Sequence, residues 1–167
     1  MRKGQFTSVI VLLFLFLLQG NLNAQGVKAN FSGTWIFNDT KSIFEEGRGF
    51  RSLTQIIVNQ SGNKISVDRI RINLSGKTVP INDKYTLDGK ECANTSSRGQ
   101  SKTRVTWSAD RKALNFMIAR SFDWNGELTV LKSAEVWSLT DPNTLSIIYS
   151  LTMQDGEKKS TLVYDKK

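Results

Sequence analysis

The chain of 167 residues contains no histidine, a single cysteine and only two prolines. Without imidazole the commonest general base is missing, along with Ser-His-Asp and Cys-His catalysis and the nitrogen ligands of most zinc sites. One thiol, Cys92, cannot form an internal disulfide, so a domain outside the cytoplasm must be held by its core. It lies beside the Asp88-Gly89 turn on the Tyr85 face and reads as a small buried apolar residue rather than a nucleophile. No Gly-rich phosphate loop and no Asp-x-Asp calcium spacing occurs; Asp83 and Asp88 fall in different parts of one hairpin. Acid–base work by carboxylate or tyrosine stays chemically open, but nothing in the sequence pairs such groups. The expectation is therefore a protein that is not an enzyme, with no catalytic residues, no metal ligands and no cofactor.

What is present begins with a leader. Arg2 and Lys3 precede an unbroken apolar run from Val9 to Leu18. That run has signal-peptide length and falls short of the roughly 20 residues that span a bilayer. Small and polar residues lead to Ala24, the expected cleavage point, and no cysteine stands near it to carry a lipid. The reading is a signal peptide at 1–24 and one domain at 25–167, delivered to the periplasm or secreted. The net charge is +8, and removing Arg2 and Lys3 leaves +6. The basic residues (Arg69/Arg71, Arg98/Lys102/Arg104, Arg111/Lys112, Lys158/Lys159) are scattered over different elements. Such scatter, outside the cytoplasm, argues against nucleic acid and leaves an anionic envelope surface or a merely soluble basic exterior. A monomer is expected.

Turn signals recur every eight to fourteen residues or so, the spacing of an all-β sandwich or barrel. They are Gln60-Ser61-Gly62-Asn63, Ser75-Gly76, Asp88-Gly89, Ala109 to Lys112, Asn125-Gly126, Asp141-Pro142-Asn143 and Asp155-Gly156. Strands are expected near 32–38, 52–59, 64–73, 77–87, 90–95, 102–108, 113–123, 127–139, 144–153 and 158–165. A capping box, Ser42 with Glu45, predicts one short helix over 42–47 after the first strand.

Because side chains alternate faces along a strand, each turn imposes a register that the apolar pattern can test. The 109–112 loop sets Trp107 against Leu114, Val105 against Phe116 and Thr103 against Ile118. The Asp155-Gly156 turn sets Leu151 against Ser160 and Tyr149 against Leu162. Ser75-Gly76 sets Ile72 against Val79 and Ile70 against Ile81. One strand objects. The 60–63 turn pairs Val58 with Ile65 and Ile56 with Val67, so its inward row would continue through Arg69 and Arg71. A β-bulge near Asp68-Arg69 reconciles the two demands and puts Ile70 and Ile72 inside. A run of consecutive hairpins removes its edges by closing the first strand onto the last, giving an up-and-down antiparallel β-barrel of 8–10 strands. A two-sheet sandwich is the alternative. A barrel of that size is filled by side chains or holds one small ligand.

The stretch Phe31-Ser32-Gly33-Thr34-Trp35 resembles the Gly-x-Trp start of lipocalins, whose tryptophan closes one end of the barrel. With Tyr85 to Glu91, Val105-Thr106-Trp107 and Glu135 to Leu139, the wider pattern is similar to small exported lipocalin-like proteins of bacteria. The chain departs from lipocalins at Thr140-Asp141-Pro142, where proline replaces their tyrosine, and it has no arginine after Arg120. The resemblance implies a barrel over most of the mature chain, with a ligand pocket.

Arg120 continues the inward row Leu114, Phe116, Ile118, where a cation suits the carboxylate of an amphipathic ligand. It could equally reach solvent or stack on an aromatic ring. Glu135, opposite Phe116, either pairs with a base such as Arg120 or Arg104 or marks a polar spot. The candidate ligand-binding set is Trp107, Phe116, Arg120, Leu131, Glu135, Trp137 and Tyr149. It would line a barrel for a small apolar or amphipathic molecule. A filled barrel acting as a non-catalytic module of the cell envelope is the competing expectation.

Overall fold

A computed structural model of the chain describes residues 26–44, 53–73, 75–96, 99–154 and 156–167. The expected leader and the second half of the expected 42–47 helix lie outside these residues. The alternating segments form ten strands: β1 (Gly33–Phe37), β2 (Leu53–Ser61), β3 (Lys64–Ile72), β4 (Thr78–Thr86) and β5 (Glu91–Ser96) come first. They are followed by β6 (Gly99–Trp107), β7 (Ala113–Trp124), β8 (Glu127–Asp141), β9 (Thr144–Met153) and β10 (Gly156–Lys166). A 3₁₀ turn, Asp39–Lys41, follows β1, its start capped by the Asn38 side chain, which accepts from the Lys41 N–H. Ser42, expected to begin a helix, instead ends that turn in extended geometry, and Ile43 pairs with Thr161.

All ten strands join one antiparallel sheet in the order β4-β3-β2-β1-β10-β9-β8-β7-β6-β5. The first and last strands pair, as a closing meander requires: Trp35 stands opposite Lys166 and Phe37 opposite Tyr164. The chain therefore forms a nearly closed barrel.

The long hairpin β7–β8 follows its turn chemistry. Asn125 and Gly126 both have positive φ, 55° and 83°, the conformation that Asn-Gly adopts readily. This places Phe116 against Glu135 and Arg120 against Leu131. The β6–β7 register is also as expected, with Val105 against Phe116 and Thr103 against Ile118. Two hairpins differ from expectation by two residues, which leaves every side chain on its face. Val58 meets Val67 across a turn at Gly62-Asn63, and Tyr149 meets Ser160 because Gly156 already stands in the strand opposite Met153.

The β3–β4 hairpin differs by one residue, which reverses the face. The connection spans 73–77 and is organised by the Asn73 side chain. Its Oδ1 accepts from the Ser75 N–H and hydroxyl and from the Lys77 N–H. Arg69 then pairs with Ile81 and Arg71 with Val79, while Ile70 faces Pro80. No bulge occurs at Asp68-Arg69, where pairing with β2 and β4 is continuous; the irregularity lies instead between Leu53 and Gln55. Arg69 and Arg71 thus point inward, and Ile72 is exposed on the outside.

Closure fails at one seam, because the two remaining edges, β4 and β5, face each other without a backbone ladder. The expected Asp88-Gly89 hairpin does not zip. The Leu87 N–H donates to Asn63 O and the Gly89 N–H to Val105 O, which draws the connection toward neighbouring strands. Side chains stitch the gap instead. The Lys84 N–H donates to Asn94 Oδ1 at 2.9 Å, and Asn94 Nδ2 donates to Lys84 O at 3.2 Å. One amide side chain supplies both halves of a missing rung. Below it the Thr86 N–H donates to Cys92 Sγ at 3.3 Å, so Cys92 is a half-buried seam residue rather than a core one.

The two ends of the barrel are unlike. At the end bearing the β2–β3, β6–β7 and β8–β9 turns, Phe31, Trp35, Val58, Leu114, Trp137, Leu145 and Tyr164 are fully buried or nearly so. The segment before β1 plugs this end: Trp35 Nε1 donates to Phe31 O at 2.9 Å, and Gln60 exchanges hydrogen bonds with Ala29 and Phe31. At the opposite end the inward residues Arg71, Val79, Arg120, Phe122 and Leu131 are only half-buried.

Candidate functional site

Between these ends, β3, β4 and β8 bring three charged side chains into the interior. Arg69 Nη2 meets Glu135 Oε2 at 2.6 Å, and its Nη1 meets Asp83 Oδ2 at 3.3 Å. Alternation alone delivers them, since Asp83 lies between inward Ile81 and Tyr85, and Glu135 precedes Trp137 by two residues on the same row. Ion pairs out of water are tolerated only when their hydrogen bonds are well satisfied. Here Glu135 Oε2 also accepts from Trp137 Nε1 at 2.8 Å, and the Arg69 guanidinium lies 5.7 Å from the centre of the Trp137 ring. Burial alone would lower the pKa of Arg69, but Glu135 and Asp83, with Tyr85 and Tyr164, hold it above its ordinary range.

Two phenols complete the cluster. Burial pushes both Tyr85 and Tyr164 well above the usual value, against the pull of the Arg69 charge. Both therefore stay protonated at neutral pH and serve as hydrogen-bonding groups rather than bases. Tyr85 packs edge-on against Phe116 at 5.6 Å, and Phe116 lies 4.9 Å from Trp137. An apolar aromatic layer thus forms the floor beneath the charges. Above it, the Arg69 and Glu135 side chains each keep 11% of their exposure although they point inward. Thr103 Oγ1, Trp107 Nε1 and Tyr164 Oη are among the buried polar atoms that form no hydrogen bond within the described residues.

Of the expected site residues, the structure groups Phe116, Glu135 and Trp137 around Arg69, with Tyr149 directly across from Glu135. Arg120 and Leu131 face each other on the same inward rows, four residues toward the open end, or about 13 Å along the strand. Trp107 stands apart at the closed end, 6.2 Å from Phe31 with Lys28 Nζ over its ring. Glu135 does not pair with Arg120 or Arg104; Arg104 lies outside with Glu91 at 3.4 Å. Its partner is Arg69, which the inferred bulge had turned outward. The signal was present in the turn at 60–63, whose unmodified register pointed both arginines inward.

No family model matches the chain, and no curated protein matches it. Solved structures do. A mutant of the fluorescent protein UnaG superposes with a TM-score of 0.53 at 20% identity, over 82% of this chain and 96% of its own. The zebrafish ileal bile acid-binding protein, complexed with cholic acid, superposes with a TM-score of 0.56 at 13% identity. That match covers 82% of this chain and 98% of the zebrafish protein. At such identities the likeness is one of fold: this chain shares the antiparallel barrel architecture of these two proteins.

Proposed function

We propose that this chain is an exported, non-catalytic barrel that takes up one small apolar or amphipathic molecule through its open end. The observation that carries the reading is the gradient along the inward rows. Side chains are fully buried at the plugged end, keep a residue of exposure at the Arg69 cluster, and are half-buried at Arg120, Leu131 and Phe122. In this reading Leu131, Ile118, Leu151 and Tyr149 receive the apolar body, and Arg120 meets an acidic group near the mouth. Arg120 suits that role because, among the described residues, no carboxylate pairs with it. A barrel of the same fold, the zebrafish protein, was solved with cholic acid, an amphipathic acid, which supports the class of ligand. The leader argues for action in the periplasm or outside the cell, and the chain is read as a monomer held by its core, because its single cysteine cannot form an internal disulfide.

Titration of tryptophan fluorescence with hexadecanoate and with cholate tests the proposal. Saturable binding is expected, and Arg120→Gln should weaken it about tenfold for the acids while sparing hexadecanol, since a charge-assisted pair is replaced by a neutral one. No saturable response to any of these probes would refute the reading.

A filled barrel working as an envelope module is the second reading. It draws on an exposed apolar stripe across the outer face, where Met117, Ile148 and Ile43 lie on or beside β7, β9 and β10. Retention on anionic vesicles that is lost in Met117→Ser/Ile148→Ser, without any effect of cholate, would favour it.

A further inference from the structure

Tyr164 is fully buried, yet its hydroxyl has no hydrogen-bond partner among the described residues. Buried phenols ordinarily find one, because an unsatisfied hydroxyl carries a desolvation cost that nothing offsets. Its ring is packed edge-on to Phe37 at 5.3 Å, which holds the hydroxyl inside. The charges acting on it are those of Arg69, Glu135 and Arg71, and Asp83 lies against Arg69 on the other side. Two guanidinium groups and two carboxylates cancel. An ionised group brought to this depth would find no uncompensated countercharge, and burying it unpaired would be unfavourable.

We propose that the Tyr164 hydroxyl is the deep contact for an uncharged hydrogen-bonding group of the bound molecule, a hydroxyl or an amide. The ligand is then polar at both ends, with an acid toward Arg120 and a neutral group toward Tyr164, and apolar between. This rests on the reading of the barrel as a binding protein and goes further by naming the chemistry of the ligand's inner end.

Calorimetric titration of the wild type and Tyr164→Phe with hexadecanoate, 16-hydroxyhexadecanoate and hexadecanedioate tests it. The wild type should bind the hydroxy acid about tenfold more tightly than hexadecanoate, the worth of one good hydrogen bond, and should bind the diacid most weakly. Tyr164→Phe should erase the preference for the hydroxy acid and leave the affinity for hexadecanoate unchanged. Because no internal hydrogen bond is lost, the ligand-free variant should melt no lower than the wild type. Equal affinities for the three acids, a preference that survives Tyr164→Phe, or a fall in melting temperature of about 4 °C or more would overturn the deep contact while binding itself stands. Binding of none of the three would remove the binding reading and this proposal with it.

Discussion

The plugged end and the open end of the barrel are built from the same alternating strands, but the inward rows toward the mouth mix polar side chains with the apolar ones. Toward the plug the rows carry Trp35, Val58, Ile65, Leu114, Trp137 and Leu145, all buried. Toward the mouth they carry Arg71, Arg120, Ser101, Thr103 and Leu131, with the Arg69 cluster between. The plugged half therefore does the work of a hydrophobic core, while the open half keeps polar groups and exposure that a core would not tolerate. Apolar packing and polar side chains are thus unevenly distributed along the barrel axis.

The sharpest way to break this comparison is to delete an anchor from each half. Trp35→Ala should cost about 4 kcal/mol in urea denaturation, the range for removing a fully buried indole. Leu131→Ala, half-buried near the mouth, should cost under about 1 kcal/mol. Similar losses at both positions would show that the barrel is uniformly packed. Next comes the cluster between the halves. Arg69→Met leaves Asp83 and Glu135 buried without their cation and should cost about 3 kcal/mol. The double variant with Glu135→Gln should recover part of that loss, as only coupled charges do.

Alkaline pH offers a third test. Tyr85 and Tyr164 hold their protons in the folded state beyond the ordinary phenol value of 10.0. Below that value both states are neutral and the contribution to stability is complete. As pH rises past it the unfolded chain ionises first, so stability falls. About 3 kcal/mol should be lost between pH 9 and 11, since one pH unit beyond the unfolded pKa is worth about 1.4 kcal/mol per group and two phenols contribute. Tyr85→Phe/Tyr164→Phe should flatten that slope, and an unchanged slope would mean that the phenols titrate freely. The smallest effect is expected at the seam. Asn94→Ala removes two hydrogen bonds to Lys84 and should cost about 1 kcal/mol, with faster amide exchange confined to β4 and β5. Exchange that spreads through all ten strands would show that the seam governs the whole sheet.

The ten strands, the face of nearly every residue and the pairing of β1 with β10 were legible because period-two alternation and Asn-Gly or Ala-Asp-Arg-Lys turns agree with one another. The inner charges were not. The row through Val67 leads straight to Arg69 and Arg71, and the bulge that turned them outward followed from reading Ser75-Gly76 as a tight turn, which demanded Ile70 and Ile72 inside. Two features argued the other way. Asn73, followed by Ser75 and Lys77, has the side chain to organise a five-residue connection and so shift β4 by one position. Asp83 and Glu135 also sit on inward rows of their own strands, and two carboxylates inside a barrel require a cation. Reading the three charged residues together would have placed Arg69 inside. The orphaned hydroxyls of Thr103 and Tyr164 had no signature in the sequence, since a lost hydrogen bond is a property of packing.

The seam has a consequence for life in a crowded compartment. An open sheet ordinarily presents two rows of unmade backbone bonds, which recruit strands from other molecules and seed aggregates. Here those rows confront each other, and Pro80 removes one donor on the side of β4 that faces the gap. A passing chain meets two margins already guarding one another, so the protein gains the resistance of a sealed cylinder while one wall retains a join that can part.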